Sequence, residues 1–164
     1  MALKLKNKKK IIKKNHIIAR SALSAITADI SNIKVNEMNN LRKKARLLNI
    51  EMFVIRNTLL KKCLNNTKFS KLSKTLKGPT LIAFSMQHPG SASRLFKRFT
   101  EKNKRFKITT AIFEEKILSF QEIEQLAILP TYNEILIRLI LTLKTASVGK
   151  LLNVLNSIYK IKKN

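Results

Sequence analysis

Four kinds of side chain here could do chemistry: one cysteine, two histidines, nine carboxylates and 34 cations. The first three kinds do not converge. Cys63 stands in a stretch of helical spacing beside Leu60 and Leu64, where a free thiol behaves as a small hydrophobe. His16 lies in a lysine-rich segment and His88 directly precedes Pro89. Neither has a Cys, an Asp or a second His at metal-ligand spacing, so both read as surface residues. The acids cluster as Glu114-Glu115 and as Glu122 with Glu124, pairs that do not share a helix face. A turn and a solvated helix start account for them. Gly78 stands alone, without the glycines and lysine of a phosphate-cradling loop. The sequence therefore reads as a non-enzyme, with no catalytic residue, metal ligand or cofactor.

The cations are another matter. The formal net charge is +25, a charge for which a polyanion is the natural counterion. Part of it is compositional, since 26 Lys, 20 Ile and 15 Asn suggest drift in an AT-rich genome. Drift does not explain the distribution. Residues 1–107 hold 27 Lys or Arg against four acids, whereas residues 108–164 hold seven against five. Four basic clusters lie in the first part: Lys4 to Lys14, Arg42 to Arg46, Arg56 with Lys61 and Lys62, and Arg94 to Lys107. Any one alone could be a solvated face. Together, with so few acids between them, they fit a phosphate-contacting surface. Arginine weighs more than lysine, because AT-rich drift does not favour it and its planar fork holds phosphate bidentately. The candidates from the first three clusters are Lys8, Lys9, Arg42, Lys43, Arg46, Arg56 and Lys61. With no Trp and only two Tyr, and with the Phe residues at core-facing positions, recognition by RNA shape and backbone is expected rather than base stacking.

The elements that must position these residues alternate. Residues 4–20 read as a first helix and Ala22 to Ile30 as a strand. Val35 to Leu48 places Met38, Leu41, Ala45 and Leu48 on one helical face. Ile50 to Ile55 suits a buried strand, and Asn57 stands where an N-cap belongs, before a helix over Thr58 to Leu64. After the Gly78-Pro79 turn come a strand from Thr80 to Met86, a helix from Pro89 to about Lys102 and a strand from Phe106 to Phe113. A short helix over Ser119 to Ile128 follows the Glu114-Glu115 turn. This order predicts an α/β domain over residues 1–130, a small mixed sheet flanked by helices and at least partly parallel.

Residues 131–164 form a second region. From Asn133 to Ile161 the pattern is helical, with Gly149 tolerable at about 1 kcal/mol. Residues 135–143 fit either a last core helix or an exposed one. The whole length, roughly 43 Å at 1.5 Å per residue, exceeds the width of such a domain. A long, projecting C-terminal helix is expected, and projecting leucines need a partner. The candidates are Val148, Leu151, Leu152, Leu155 and Ile158. No stretch reaches the ~18 uninterrupted apolar residues of a membrane span, no secretory signal opens the chain, and a single cysteine fits a reducing compartment. A cytoplasmic protein without a membrane partner is expected.

Several stretches, in order and at their spacings, add up to a family pattern: Ala22-Leu23-Ser24-Ala25, Arg56-Asn57-Thr58-Leu59-Leu60, Gly78-Pro79-Thr80-Leu81-Ile82-Ala83, Leu95-Phe96-Lys97, Leu129-Pro130-Thr131-Tyr132 and Gly149-Lys150-Leu151. Over its full length the chain resembles the bacterial large-subunit ribosomal protein L-ten family, the base of the ribosomal stalk. The resemblance implies an N-terminal α/β domain that binds large-subunit rRNA beside ribosomal protein L-eleven. It also implies a C-terminal spine carrying dimers of the acidic stalk protein (L-seven/L-twelve type), which recruit GTP-bound translation factors. It adds Asn57 and Thr58 to Arg56 as rRNA-binding candidates. The sequence departs from the family at Lys34, where many members cap the second helix with Ser or Thr, and in its lysine-rich first helix. The short basic tail beyond Tyr159 suggests a spine for about two dimers.

Two other readings compete. One is a nucleic-acid-binding protein outside the ribosome. The other is a membrane-surface protein with a basic amphipathic helix, which would carry its charge on the apolar C-terminal helix rather than in residues 1–107. On the non-enzyme reading, the purified chain, free of translation factors, should not hydrolyse GTP. Reproducible phosphate release in a malachite-green assay would contradict that reading.

Overall fold

The computed structural model describes residues 5–31, 33–103 and 105–163, apart from the side chains of residues 147, 148 and 163. The chain divides into two compact units, residues 1–129 and 130–164.

The first unit is an α/β layered domain. Its elements are α1 (Leu5–Ser21), β1 (Ser24–Asp29), α2 (Val35–Leu47), β2 (Ile50–Val54), α3 (Asn57–Leu64), a 3-10 turn (Ser70–Lys74), β3 (Thr80–Ser85), α4 (Ser91–Lys102), β4 (Lys107–Phe113), β5 (Lys116–Leu118) and α5 (Phe120–Ile128). Five strands form one sheet in the order β2-β3-β1-β4-β5. The α/β class is as expected, but the sheet is antiparallel throughout rather than mixed. The reason lies in how the crossovers interleave. The pairings run β1 and β2 in one direction, β3 and β4 in the other. The helical crossovers α2 and α4 thus join strands of like direction, as strand–helix alternation implies. Each such pair, however, is split by a strand of the other pair, as in split βαβ folds.

Helices cover both faces of the sheet. Side chains alternate accordingly: Ile26, Leu81, Ala83 and Ala111 meet Leu41, Ala45, Phe96 and Ile123 of α2, α4 and α5. Ala25, Ile82, Phe84 and Ile112 meet Ala19, Leu60, Leu64 and Leu72 of α1, α3 and the 3-10 turn. Burial on both sides explains why β3 reads as a near-continuous apolar run without polar alternation. In the first layer Phe96 and Phe99 both meet Phe106 edge-on, at ring distances of 5.1 and 5.0 Å, a favoured aromatic geometry.

Local chemistry sets the element ends. Lys34 caps α2 without any side-chain hydrogen bond, as its departure from Ser or Thr implied. Ser119 and Glu122 form a reciprocal capping box at α5, and the hydrogen bonds from Ser119 hold the Glu122 carboxyl below the usual range. Glu114 and Glu115 both take left-handed φ, 49° and 64°, and close a two-residue hairpin between β4 and the short strand β5. That strand was not foreseen, because two consecutive glutamates are not the usual residues of such a turn.

The second unit is helical: α6 (Tyr132–Lys144), a π-helical turn (Thr145–Gly149) and α7 (Lys150–Lys163). The expected single helix is thus interrupted by a π turn that ends on Gly149. A Cβ at Gly149 would stand 2.7 Å from the Lys144 carbonyl, which makes glycine the residue that fits this wider turn. No described residue of α6 is buried, so residues 135–143 are not a core helix.

Gly90, the N-cap of α4, stands hard against the backbone of α5. A Cβ there would lie 2.5 Å from the Leu126 carbonyl and 3.0 Å from His88 Cε1, and a backbone carbonyl cannot swing aside. Gly90→Ala should therefore destabilise the domain by about 1–3 kcal/mol, the usual cost of overpacking. Urea unfolding followed by circular dichroism measures this; an unchanged midpoint would mean that α5 is not held against α4 as described.

Candidate nucleic-acid interface

The arginines of α2 are sorted by helical geometry. Leu41 and Ala45 are buried, so Arg42, Lys43 and Arg46 stand off that face and are exposed. The chain then turns at Asn49, in left-handed conformation (φ 52°), and enters β2. This strand pairs only with β3 and forms one edge of the sheet. Arg42 and Arg46 line a groove of about 710 Å³ together with Ile50, Glu51, Met52 and Phe53 of that edge.

At the other end of β2 the chain passes directly into α3. Arg56 holds the N-cap position and no side chain caps the helix. Asn57 is not the cap that the sequence suggested. It is the first helical residue, and its amide donates to the Gly78 carbonyl at 2.9 Å. That bond ties the start of α3 to the Gly78-Pro79 turn, where Gly78 supplies a left-handed φ of 68° at little steric cost. Arg56, Asn57 and Thr58 line a second groove with Val54, Gly78 and Pro79. There is no acid in the first turn of α3, so the partial positive charge of the helix start is uncompensated.

The two grooves follow one another along β2, the first at Ile50 to Phe53 and the second at Val54 and beyond. Together they gather Arg42, Arg46, Arg56, Asn57 and Thr58. Lys43 is exposed on α2 outside them, and Lys61 is exposed one turn into α3. Lys8 and Lys9, on α1, line neither groove. Among the described residues, the side chains of Arg42, Arg46, Arg56 and Lys61 have no hydrogen-bond or ion-pair partner.

The cluster from Arg94 to Lys107 is partly committed within the fold. The Arg94 guanidinium donates from Nη2 to the Leu129 carbonyl (2.8 Å) and from Nε to the Ala127 carbonyl (3.3 Å), closing the end of α5. Lys97 pairs with Glu124 at 3.3 Å. Sequence spacing could not separate these from free cations, because their partners lie some 30 residues away.

Other expectations are corrected here. Neither histidine is a freely exposed surface residue, for both are half-buried: His16 Nδ1 lies 3.0 Å from the Cys63 carbonyl, at the seam of α1 and α3, and His88 Nδ1 accepts from the Gly90 amide at 3.1 Å. Cys63 is buried, as expected of a small hydrophobe, and burial pushes its thiol up from the ordinary value. Not every phenylalanine faces the core, for Phe120 is exposed and Phe53 lines the first groove.

In the helical unit, Leu151, Leu152, Leu155 and Ile158 are 51–65% exposed. The side chain of Val148 lies outside the described residues, as does Lys4 of the first basic cluster. No single described helix is long and apolar enough to cross a membrane.

Comparison with known proteins shows the family. The family model of ribosomal protein L10 matches residues 3–101. The large ribosomal subunit protein uL10 of Buchnera aphidicola subsp. Cinara cedri is 55% identical over 160 residues, covering 98% of this chain and 99% of the relative. The protein of the same description from Erwinia tasmaniensis is 45% identical, covering 96% and 95%. That from Klebsiella pneumoniae is 44% identical, covering 96% of each chain. The chain therefore belongs to the ribosomal protein L10 family and is a structural protein of the bacterial large ribosomal subunit, not an enzyme.

Proposed function

We propose that the chain is the base of the ribosomal stalk, holding large-subunit rRNA with residues 1–130 and acidic stalk-protein dimers with residues 131–164. The observation that carries the first half is the run of unpaired cations beside the edge strand β2. Arg42 and Arg46 flank one groove, Arg56 and the uncapped start of α3 flank the next, and none of the three arginines is spent on an internal acid. Phosphates suit both kinds of donor, guanidinium forks and helix-start amides. Lys43 and Lys61 add charge beside the grooves. Lys8 and Lys9 form a more distant basic face that a longer RNA reaches.

The second half rests on apolar exposure. Leu151, Leu152, Leu155 and Ile158 recur at helical spacing along α7 and are open to solvent. The seven apolar residues Ile135, Leu136, Ile137, Leu139, Ile140, Leu141 and Leu143 are open on α6 as well. Two exposed apolar helices with a π turn between them suit about two dimers. Each leucine buried in a partner groove contributes about 1.5–3 kcal/mol. The bound dimers recruit GTP-bound translation factors, and ribosomal protein L-eleven lies beside the first unit on the rRNA.

Binding to an rRNA fragment of the stalk base should fall steeply with salt. Arg56→Ala should lower the log–log salt slope by ~0.9 on duplex-like RNA or ~0.7 on a single strand. An unchanged slope and affinity in filter binding would remove Arg56 from the site. Truncation after Gly149 should leave rRNA affinity nearly unchanged and reduce the dimers carried per chain. The double change Leu152→Asp and Leu155→Asp should do the same, by setting charges in an apolar groove. Native mass spectrometry with the acidic stalk protein counts the dimers; a full count on the truncated chain would rule out α7 as their seat.

A further inference from the structure

The groove beside β2 holds more than a phosphate needs. Alongside Arg42 and Arg46 it presents the half-buried ring of Phe53 and the carboxylate of Glu51. Glu51 is one of only four acids in residues 1–107. It is exposed and, among the described residues, has no ion-pair partner although two arginines line the same groove. A carboxylate inside a phosphate-binding groove would repel the ligand if phosphate were all that entered.

Residues alternate across a strand, so Glu51 and Phe53 share one face of β2, towards α1, where Phe53 packs against Phe84 at a ring distance of 6.5 Å. Arg42 and Arg46 approach the same edge from α2. The chemistry thus divides in two: cations on one flank, and a flat apolar ring with a two-oxygen acceptor on the other. An unpaired nucleotide has the matching halves. Its phosphates are anionic, its base offers a face for stacking, and its amino and imino hydrogens need an acceptor. Guanine fits a carboxylate best, since its N1–H and its amino group point the same way.

We propose that this groove receives one unpaired base of the bound RNA, preferentially guanine, with Phe53 as the stacking face, Glu51 as acceptor and Arg42 and Arg46 on the adjoining phosphates. This rests on the rRNA-binding reading and adds base selection to a surface otherwise expected to read shape and charge alone. An added peptide strand, the other occupant an open sheet edge admits, makes no use of the acid beside the ring.

A coupling experiment tests it. The stalk-base rRNA fragment, with each unpaired nucleotide replaced in turn by an abasic one, is titrated with the wild-type chain, Phe53→Leu and Glu51→Gln. One abasic replacement should weaken wild-type binding by about 5- to 150-fold, the range of a single stacked base. The same replacement should cost Phe53→Leu little more, because the two changes remove one interaction. Glu51→Gln should lose the preference for guanine at that nucleotide, with its salt slope unchanged. Since Glu51 is exposed, that variant tests the groove even if Phe53→Leu folds poorly. If the wild type binds the fragment but no nucleotide couples to either residue, the base-receiving groove is overturned while the rRNA reading stands. If the wild type does not bind at all, both fall. A photo-reactive group placed at Gln87, which also lines this groove, that labels a protein rather than RNA in assembled large subunits would overturn it in favour of an added strand.

Discussion

Covering the sheet with helices on both faces is the constraint from which the rest of the first unit follows. Once α2, α4 and α5 occupy one face and α1 and α3 the other, unpaired backbone groups remain only at the two edges. One edge is the three-residue β5, behind a tight hairpin. The other is β2, whose five residues carry a groove at one end and the start of α3 at the other. Edge strands offer unpaired amides and carbonyls that proteins normally blunt with charge. Here the charge beside the edge is arginine left without internal partners. The proposed RNA surface is therefore a consequence of topology: with its faces covered, the sheet leaves only its rim open to a partner.

The same constraint bears on stability. Residues 1–107 collect 27 cations against four acids, and such like-charge density opposes compaction. Internal pairing relieves little of it. Arg94 and Lys97 are spent on α5, but the arginines of α2 and of the α3 start are not. In the proposed complex the phosphates neutralise them and release the ions condensed on the RNA. On this account the free chain tolerates self-repulsion because its core, with Phe69, Phe84, Phe96 and Phe106 fully buried, is assembled on the far side of each helix from its cations.

Much of the fold was legible in the sequence where one local signal dominated. The apolar spacing of α2 and the apolar run of β3 each state their element directly. Sheet direction was not legible, because helical crossovers between like-directed strands look the same whether those strands are neighbours or are split by a third. The strand β5 was missed because its turn uses Glu114-Glu115 where glycine or asparagine is the usual signal. In the candidate site, charge type and helical phase were enough to put Arg42 and Arg46 off the buried face of α2, where the structure has them exposed. Whether a cation is free depends on distant carbonyls, as with Arg94, and the place of Phe53 at an open edge depends on strand order. The π turn over Thr145–Gly149 was likewise invisible, since helical periodicity alone predicts an unbroken helix.

Amide hydrogen exchange of the whole chain, alone and with a stalk-base rRNA fragment, tests the rim-binding account most directly. The account predicts slowed exchange at Ile50 to Val54 and at Asn57 and Thr58 on adding RNA, with α5 and α7 unaffected. Protection concentrated on α4 and α5, with β2 and the start of α3 exchanging as in the free chain, would contradict it.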